Sequence, residues 1–258
     1  MMLYYASSLN DYQLKASDGE LGKVKELFFD DKQWVLRYFG VDTRKWLPGK
    51  KVLLSPRSFQ TIDDENRTIE LSSDKETVRN SPSLDEGSPL SREYEMTLTR
   101  YYGWAPYWTG GLLWGRQDVP LVGAITNSDQ ARDLPENREE TLAEELTHNL
   151  RDLDDLTDKF TVHASDGKIG TIDDVLLDGE NWKLRYLVVK NGQGFSWEYS
   201  LLSPDWTQSV DWVDYNLYLD VTQEAVKNGP GISEKKEITR ETEQELHTSY
   251  GKKTYWTY

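Results

Sequence analysis

The chain repeats itself at a fixed distance, since ASDGELG at residues 16–22 returns as ASDGKIG at residues 164–170. The same displacement of 148 positions aligns identical residues over much of the 258-residue chain without an insertion. The matches include WxLRY (34–38, 182–186), LLSP (53–56, 201–204), RE (92–93, 240–241) and YWT (107–109, 255–257). A period this long predicts a tandem duplication of a domain of about 100 residues.

Within each copy, short strands precede short helices. Turn residues and apolar alternation predict strands in the first copy at 13–16, 22–29, 34–41, 51–55 and 68–72. Helices are predicted at 74–82 and from Ser91 to Gly103, with counterparts at 222–230 and from Thr239 to Gly251. Gly229 is expected to end its helix in the left-handed conformation. The fold class is therefore mainly β with short helices (α+β), in two tandem small barrels each followed by short helices.

The predicted domain boundaries follow the repeat. The first unit spans residues 1–103 and the second spans 151–258. Residues 104–150 form an aromatic and acidic linker. Its second part, Glu136 to Leu150, is expected to be a helix because Leu142, Leu146 and Leu150 are spaced four apart.

The repeated ASDG motif predicts a tight turn in each copy. Gly19 and Gly167 are expected to adopt positive φ, and Asp18 and Asp166 to bond the backbone of their own turn. The competing interpretation makes these carboxylates metal ligands or proton relays. Retention in both copies favours a structural role, because two copies need not share a partner or a substrate.

Besides the Asp-Gly turns, three further matched pairs are assigned to turns and core: Gly22 and Gly170, Trp34 and Trp182, and Arg37 and Arg185. Each of the two arginines is expected to pack its planar head on neighbouring rings and to pair with a carboxylate. The alternative is that it grips an anionic ligand.

These ordered motifs resemble the PRC-barrel family, and in particular its tandem bacterial members. The resemblance rests on DGxxG, DDxxWxxRY and WLPGxxVLxSP in the first copy, followed by a helix containing RE and ending in YYGW. It implies a small β-barrel that serves as a docking platform, as in the photosynthetic reaction centre H subunit and a ribosome maturation factor. The copies differ at 43–51 (TRKWLPGKK) against 191–199 (NGQGFSWEY), so that surface is expected to act differently in each.

The residue inventory gives little support for catalysis. Cysteine is absent, and the three histidines, at 148, 163 and 247, have no histidine at the matching position. No catalytic set, metal site or cofactor site is predicted, and the Gly192/Gly194 pair is interpreted as a hairpin tip. The net charge of −15 disfavours nucleic acid. The N-terminus does not resemble a signal peptide and no transmembrane segment is evident, so a cytoplasmic location is expected.

Aromatic segments follow each unit and provide the candidate interaction surface: Trp104, Tyr107, Trp108, Trp114, Tyr255 and Trp256. These rings could dock a protein partner or a membrane interface. Packing within the chain or in a homodimer is favoured, because so many rings are costly to leave in water.

Three functions fit these observations. The first is a non-enzymatic scaffold or adaptor for protein–protein interaction or assembly, in a setting such as stress adaptation. The second is an accessory subunit for electron or proton transfer, as the reaction centre resemblance implies. The third, weaker hypothesis is ribosome or RNA maturation through a ribosomal protein.

Overall fold

The computed structural model describes residues 2–43, 47, 51–84, 90–120, 149–194 and 197–256. They form two compact units. The N-terminal unit comprises Ser8–Asp152 with Glu180–Trp182, and the C-terminal unit comprises Met1–Ser7, Leu153–Gly179 and Lys183–Tyr258. Residues 136–148 of the predicted linker helix lie outside the described residues.

The strands of the described chain, in chain order, are β1 (Leu3–Tyr5), β2 (Gln13–Ala16), β3 (Gly19–Asp30), β4 (Val35–Val41), β5 (Val52–Leu54), β6 (Phe59–Asp63), β7 (Thr68–Leu71), β8 (Leu150–Asp152), β9 (Thr161–Ala164), β10 (Gly167–Asp178), β11 (Leu184–Asn191), β12 (Tyr199–Leu202), β13 (Thr207–Asp211), β14 (Asn216–Leu219) and β15 (Gly231–Ile232). The helices are α1 (Ala6–Leu9), α2 (Lys75–Asn80), α3 (Arg92–Tyr102), α4 (Leu153–Lys159), α5 (Gln223–Asn228) and α6 (Arg240–Ser249). Mixed strands and short helices confirm the predicted α+β class.

Each unit is organised around one long strand. In the N-terminal unit, β3 pairs β2 through its first residues and β4 through its last, giving the order β5-β4-β3-β2-β7-β6. In the C-terminal unit, β10 has the same role in the order β13-β14-β9-β10-β11-β12-β15. The pairs β2–β7 and β9–β14 are parallel, and the remaining strand pairs are antiparallel. The repeat in the sequence is therefore a repeat of sheet topology.

A strand from a distant part of the sequence completes each sheet. In the N-terminal unit, β8 pairs antiparallel with the end of β3. In the C-terminal unit, β1 pairs antiparallel with the end of β10. Leu150 thus begins a strand, so the expectation that it ends a helix is wrong. Neither unit is contiguous in the chain, whereas the predicted boundaries divided the chain at single positions.

Side-chain caps fix the helices where the sequence predicted them. The Ser91 hydroxyl accepts from the Tyr94 N–H at the start of α3, and Gly103 ends that helix with φ 68°. The Thr239 hydroxyl caps α6 in the same way. The left-handed end predicted at Gly229 is wrong, because Gly229 is extended at φ −74° and ψ 164°.

The core of each unit is aliphatic and aromatic. All seven residues of β4 are buried, as are the first six of β11. Trp34 and Trp182 are buried just before these strands, with φ of 56° and 62°. The strand predicted from Trp34 therefore begins at Val35, since a residue in the left-handed conformation does not continue a β-ladder.

Candidate functional site

The ASDG turns join β2 to β3 in the N-terminal unit and β9 to β10 in the C-terminal unit. Gly19 and Gly167 have φ of 147° and 154°, which confirms the predicted positive values. The two aspartates do not bond to their own turns as predicted. Asp18 accepts from the Lys75 N–H at 2.8 Å, at the start of α2, and Asp166 accepts from the Gln223 N–H at 2.8 Å, at the start of α5. A carboxylate at a helix start satisfies an otherwise unpaired donor.

Gly22 and Gly170 have a steric role. A Cβ on Gly22 would lie 2.0 Å from the Asp42 carbonyl oxygen, and one on Gly170 would lie 1.9 Å from that of Lys190. No side chain fits at such distances, so the long strand can cross its neighbour closely only with glycine at this position.

Arg37 and Arg185 confirm the predicted stacked ion pairs. The Arg37 guanidinium lies 3.9 Å from the Tyr107 ring centroid and donates to Asp30 at 2.9 Å. Its counterpart Arg185 lies 3.8 Å from the Tyr255 ring and donates to Asp178 at 2.6 Å.

A second layer, which the sequence reasoning missed, is centred on a buried glutamate. In the N-terminal unit, the fully buried Glu95 accepts from Arg92 at 2.8 Å and from the Tyr107 hydroxyl at 2.9 Å. Burial and the charge of Glu95 raise the pKa of Tyr38 well above its ordinary value.

The C-terminal unit repeats the arginine, the glutamate and the tyrosines of this layer. Glu243 accepts from Arg240 at 2.9 Å, from Tyr255 at 2.7 Å and from Tyr186 at 3.1 Å. Burial raises the pKa of Tyr255 in the same way. We call these equivalent groups the Arg–Tyr–Glu clusters. Their tyrosines stay protonated and donate to the glutamate, so they are poorly suited to proton transfer near neutral pH.

One member differs between the clusters. Where the N-terminal unit has Thr99, the C-terminal unit has the buried His247, whose Nε2 lies 3.0 Å from the Tyr186 hydroxyl. Burial lowers the pKa of His247, and the backbone carbonyl of Lys253 and the charge of Asp205 partly oppose this. The imidazole is therefore neutral among aromatic rings.

The aromatic residues of the candidate interaction surface lie in and around these clusters. Trp104, Tyr107 and Trp114 are buried, so in this structure they belong to the core of their unit rather than to an exposed surface. Trp108 is half-buried under the Arg92 guanidinium, whose carbon is 4.2 Å from its ring. Tyr255 and Trp256 are half-buried, and Arg240 lies 4.1 Å from the Trp256 ring. These contacts are all within the chain, which agrees with the favoured prediction that the rings pack within the chain or in a homodimer.

The outer faces of the two units differ although their registers match. In the C-terminal unit, a row of residues paired across four strands reads, in order, Ser209, Tyr218, His163 and Lys168. In the N-terminal unit, the same positions read Thr61, Glu70, Lys15 and Glu20. Residues paired across strands project from the same face. A row of alternating charges in one unit is therefore an aromatic and cationic row in the other.

The row of the C-terminal unit, which we call the Tyr218 face, borders an open groove of about 460 Å³. The Tyr218 and His163 rings are stacked with centroids 4.9 Å apart, and the His163 Nε2 lies 2.8 Å from the Asn216 side-chain oxygen. Tyr218 is 39% exposed. Sequence reasoning noted the strand but missed the face, because the face depends on the parallel pairing of β9 and β14.

The tip of the hairpin that carries Tyr218 is also apolar where the equivalent tip in the N-terminal unit is charged. Its tip has Trp212 and Val213 where the N-terminal unit has Asp64 and Glu65. Trp212 packs on Phe160 with ring centroids 4.8 Å apart, whereas Val213 is 85% exposed. The turn itself is unchanged, since Arg67 and Tyr215 have φ of 48° and 53°.

Asn191 and Trp197 make specific contacts at the two ends of the loop at 191–199. Asn191 donates to the Trp197 carbonyl at 2.9 Å, and the Trp197 side chain lies over Gly231 while staying 42% exposed. Gly194, at φ 90°, lies in the turn, as the predicted hairpin tip requires. Residues 195–196 and most of 44–50 lie outside the described residues, so the comparison of the two loops stays a prediction.

Neither a metal cluster nor a membrane-spanning helix is found in the described chain. No group of three or more histidine, aspartate or glutamate side chains in that part could hold a metal ion. None of its helices is long and apolar enough to cross a bilayer.

Residues 1–78 match the family model of the PRC-barrel domain, so the chain carries a PRC-barrel domain in its first copy. A search of curated proteins finds no match to the chain. The PRC-barrel domain favours a scaffold or adaptor kind of function.

Proposed function

We propose that the protein is a non-enzymatic adaptor built from two PRC-barrel units, and that the Tyr218 face of the C-terminal unit binds a protein partner. The observation that carries the proposal is the contrast between units. Their interiors keep the same Arg–Tyr–Glu cluster, while equivalent surface positions differ between Glu70 and Tyr218 and between Lys15 and His163.

The Arg–Tyr–Glu clusters support the non-enzymatic part of the proposal. Each glutamate has an arginine partner and tyrosine donors. Arg37 and Arg185 are each paired with a separate aspartate. Ion pairs that recur in both copies stabilise a fold, whereas catalysis needs a group free to react.

The composition of the Tyr218 face supports the protein-binding part. Tyrosine and tryptophan are enriched at protein interfaces because their rings bury much area with little loss of side-chain freedom. The N-terminal unit shows that the same backbone tolerates charges here, so the fold itself does not require Tyr218 or Val213. The second PRC-barrel unit, a homodimer, the lack of nucleic-acid partners and the cytoplasmic location stay predictions.

The test exchanges residues between units. Full-length chain carrying His163→Lys, Val213→Glu and Tyr218→Glu acquires the residues of the N-terminal unit and should keep its thermal stability. It should lose the proteins that co-purify with the wild-type chain after cross-linking in its native cells. The matched control carries Lys15→His and Glu70→Tyr and should retain them. Loss of the same proteins from both variants, or from neither, would refute the Tyr218 face as the binding surface.

A further inference from the structure

The N-terminal unit contains a small polar cavity beside its Arg–Tyr–Glu cluster. It has a volume of about 170 Å³, which is the space of about five water molecules. Its lining contains the cationic residues Lys32 and Arg92 and the amide residues Gln33 and Asn149. The half-buried Trp108 ring forms one wall.

Arg92 is only partly satisfied within this unit. Its side chain is 7% exposed, and its Nη1 donates to Glu95 and to the Tyr107 hydroxyl. Its Nε has no hydrogen-bond partner among the described residues. A buried guanidinium N–H without an acceptor is unfavourable, so Arg92 keeps hydrogen-bonding capacity beyond its bonds to Glu95 and Tyr107.

The charges around the cavity favour an anion. Asp30 is the acidic residue of the lining, and its carboxylate already accepts from Arg37 and from the Lys32 backbone N–H. Glu95 is likewise occupied by Arg92. The lining thus has two cations, Lys32 and Arg92, and one acid that is already paired. This leaves a net positive charge at the cavity in a chain of net charge −15. Lys32 is exposed and makes no ion pair within the described part of the chain.

These features belong to one copy. Glu180 and Asn181 lie 148 positions after Lys32 and Gln33, and Met1 lies 148 positions before Asn149, so none of the three residues recurs at the matching position. The counterpart of Arg92, Arg240, is 40% exposed. A requirement of the shared fold would be met in both copies, so the cationic cavity serves something else.

We propose that this cavity binds a small oxyanion, a carboxylate or phosphate group held between Lys32 and Arg92 against the Trp108 ring. Arginine binds such groups through paired N–H donors, while lysine acts as a point charge. The proposal concerns the N-terminal unit and does not rest on the Tyr218 face.

The test is a titration of the full-length chain with inorganic phosphate and, separately, with acetate, at constant ionic strength set by chloride. The Trp108 indole signal, assigned by comparison with Trp108→Phe, is followed by NMR. Saturable binding is expected with a Kd on the order of 1 mM. Tighter binding of acetate would identify a carboxylate ligand, and tighter binding of phosphate a phosphorylated one.

The decisive variants again come from the second copy. Lys32→Glu should raise the Kd by about ten-fold or more, because it replaces an attractive charge with a repulsive one. Lys25→Asp makes the same change in net charge at an exposed position outside the cavity lining, and should leave the Kd within about two-fold. The absence of saturation by about 50 mM, or an equal loss in both variants, would overturn the proposal. Both substituted side chains are exposed, so folding is expected to survive.

Discussion

Replacing Arg37 with methionine should destabilise the N-terminal unit strongly. The Arg37 side chain is fully buried, and its removal leaves the Asp30 carboxylate, itself 9% exposed, without its cation. Breaking a buried ion pair by removing one partner costs about 3–5 kcal/mol. Loss of stacking on Tyr107 and Trp114, at 3.9 and 4.9 Å, adds to this. We therefore expect Arg37→Met to lower the free energy of unfolding by about 4 kcal/mol.

The partner substitution should cost less. In Asp30→Asn, Arg37 keeps two acceptors, the Leu113 carbonyl and the Gln33 side-chain oxygen. The expected loss is about 1–3 kcal/mol. The double variant Arg37→Met/Asp30→Asn leaves no unpaired charge. Its loss of unfolding free energy should therefore be about 1–3 kcal/mol smaller than the sum of the two single losses.

Arg57 provides a matched control within the same unit. It is also buried, and it also lies near the Trp114 ring, at 5.4 Å, but its Nη2 donates to the Trp114 carbonyl rather than to a carboxylate. Burial and the nearby charge of Arg37 lower its pKa to about 10. Arg57→Met removes an unfavourable charge as well as a hydrogen bond, so it should cost about 1 kcal/mol or less.

The assay is hydrogen exchange measured by mass spectrometry over a urea series. The free energy is taken from peptides covering β4, which lies in the N-terminal unit and carries Arg37. The reasoning is refuted if Arg37→Met and Arg57→Met have equal costs, or if Arg37→Met and Asp30→Asn are strictly additive. Either result would mean that the ion pair contributes nothing specific to the fold.

Three further predictions concern single positions. Gly22→Ala, whose Cβ would lie 2.0 Å from a carbonyl oxygen, should cost about 3 kcal/mol or more in urea unfolding, whereas Gly111→Ala, with nothing within 4 Å, should be nearly neutral. Asp18→Ala should cost about 0.5–1.5 kcal/mol, because the Lys75 N–H at the start of α2 loses its acceptor, and an unchanged unfolding midpoint would contradict this. Because burial lowers the pKa of His247 below 6.5, the unfolded chain binds the proton first, so stability should fall as pH drops through that value. His247→Gln should remove this slope from pH-dependent thermal melts.

Much of the fold could be predicted from the sequence because its signals are local. Ser91 and Gly103 mark the ends of a helix by their own backbone and side-chain chemistry. Arg37 was predicted correctly because an arginine between aromatic residues in a strand has few ways to be buried. Each of these inferences needs only near neighbours in the chain.

The remainder depends on contacts between distant segments. Asp18 accepts from Lys75, 57 positions away, and no local pattern distinguishes that bond from one within the turn. β6 was missed because its burial pattern has little alternation. Glu95 resembles a solvent-facing helix residue, yet it is fully buried, and only the repetition of Arg-x-x-Glu at 240–243 could have indicated its role. β1 and β8 are three residues long and pair with strands far away in the chain, so local sequence patterns do not indicate their partners.

The Tyr218 face can be recognised only when the pairing of the strands is known as well as the differences between the two copies. The difference between Glu70 and Tyr218 is visible in the sequence, but its meaning is not. Only the pairing of Tyr218 with His163 across parallel strands places the two changes on one face.

A site-specific photo-cross-linker tests the central claim most directly. A benzophenone amino acid replaces Ser209 in one full-length chain and its counterpart Thr61 in another, since both side chains are exposed at the end of their rows. If the Tyr218 face binds a protein partner, irradiation in the native cells should give a discrete adduct from position 209 that is absent from position 61. That adduct should disappear when Tyr218→Glu is added. The same adducts from both positions, or none from position 209, would contradict the account.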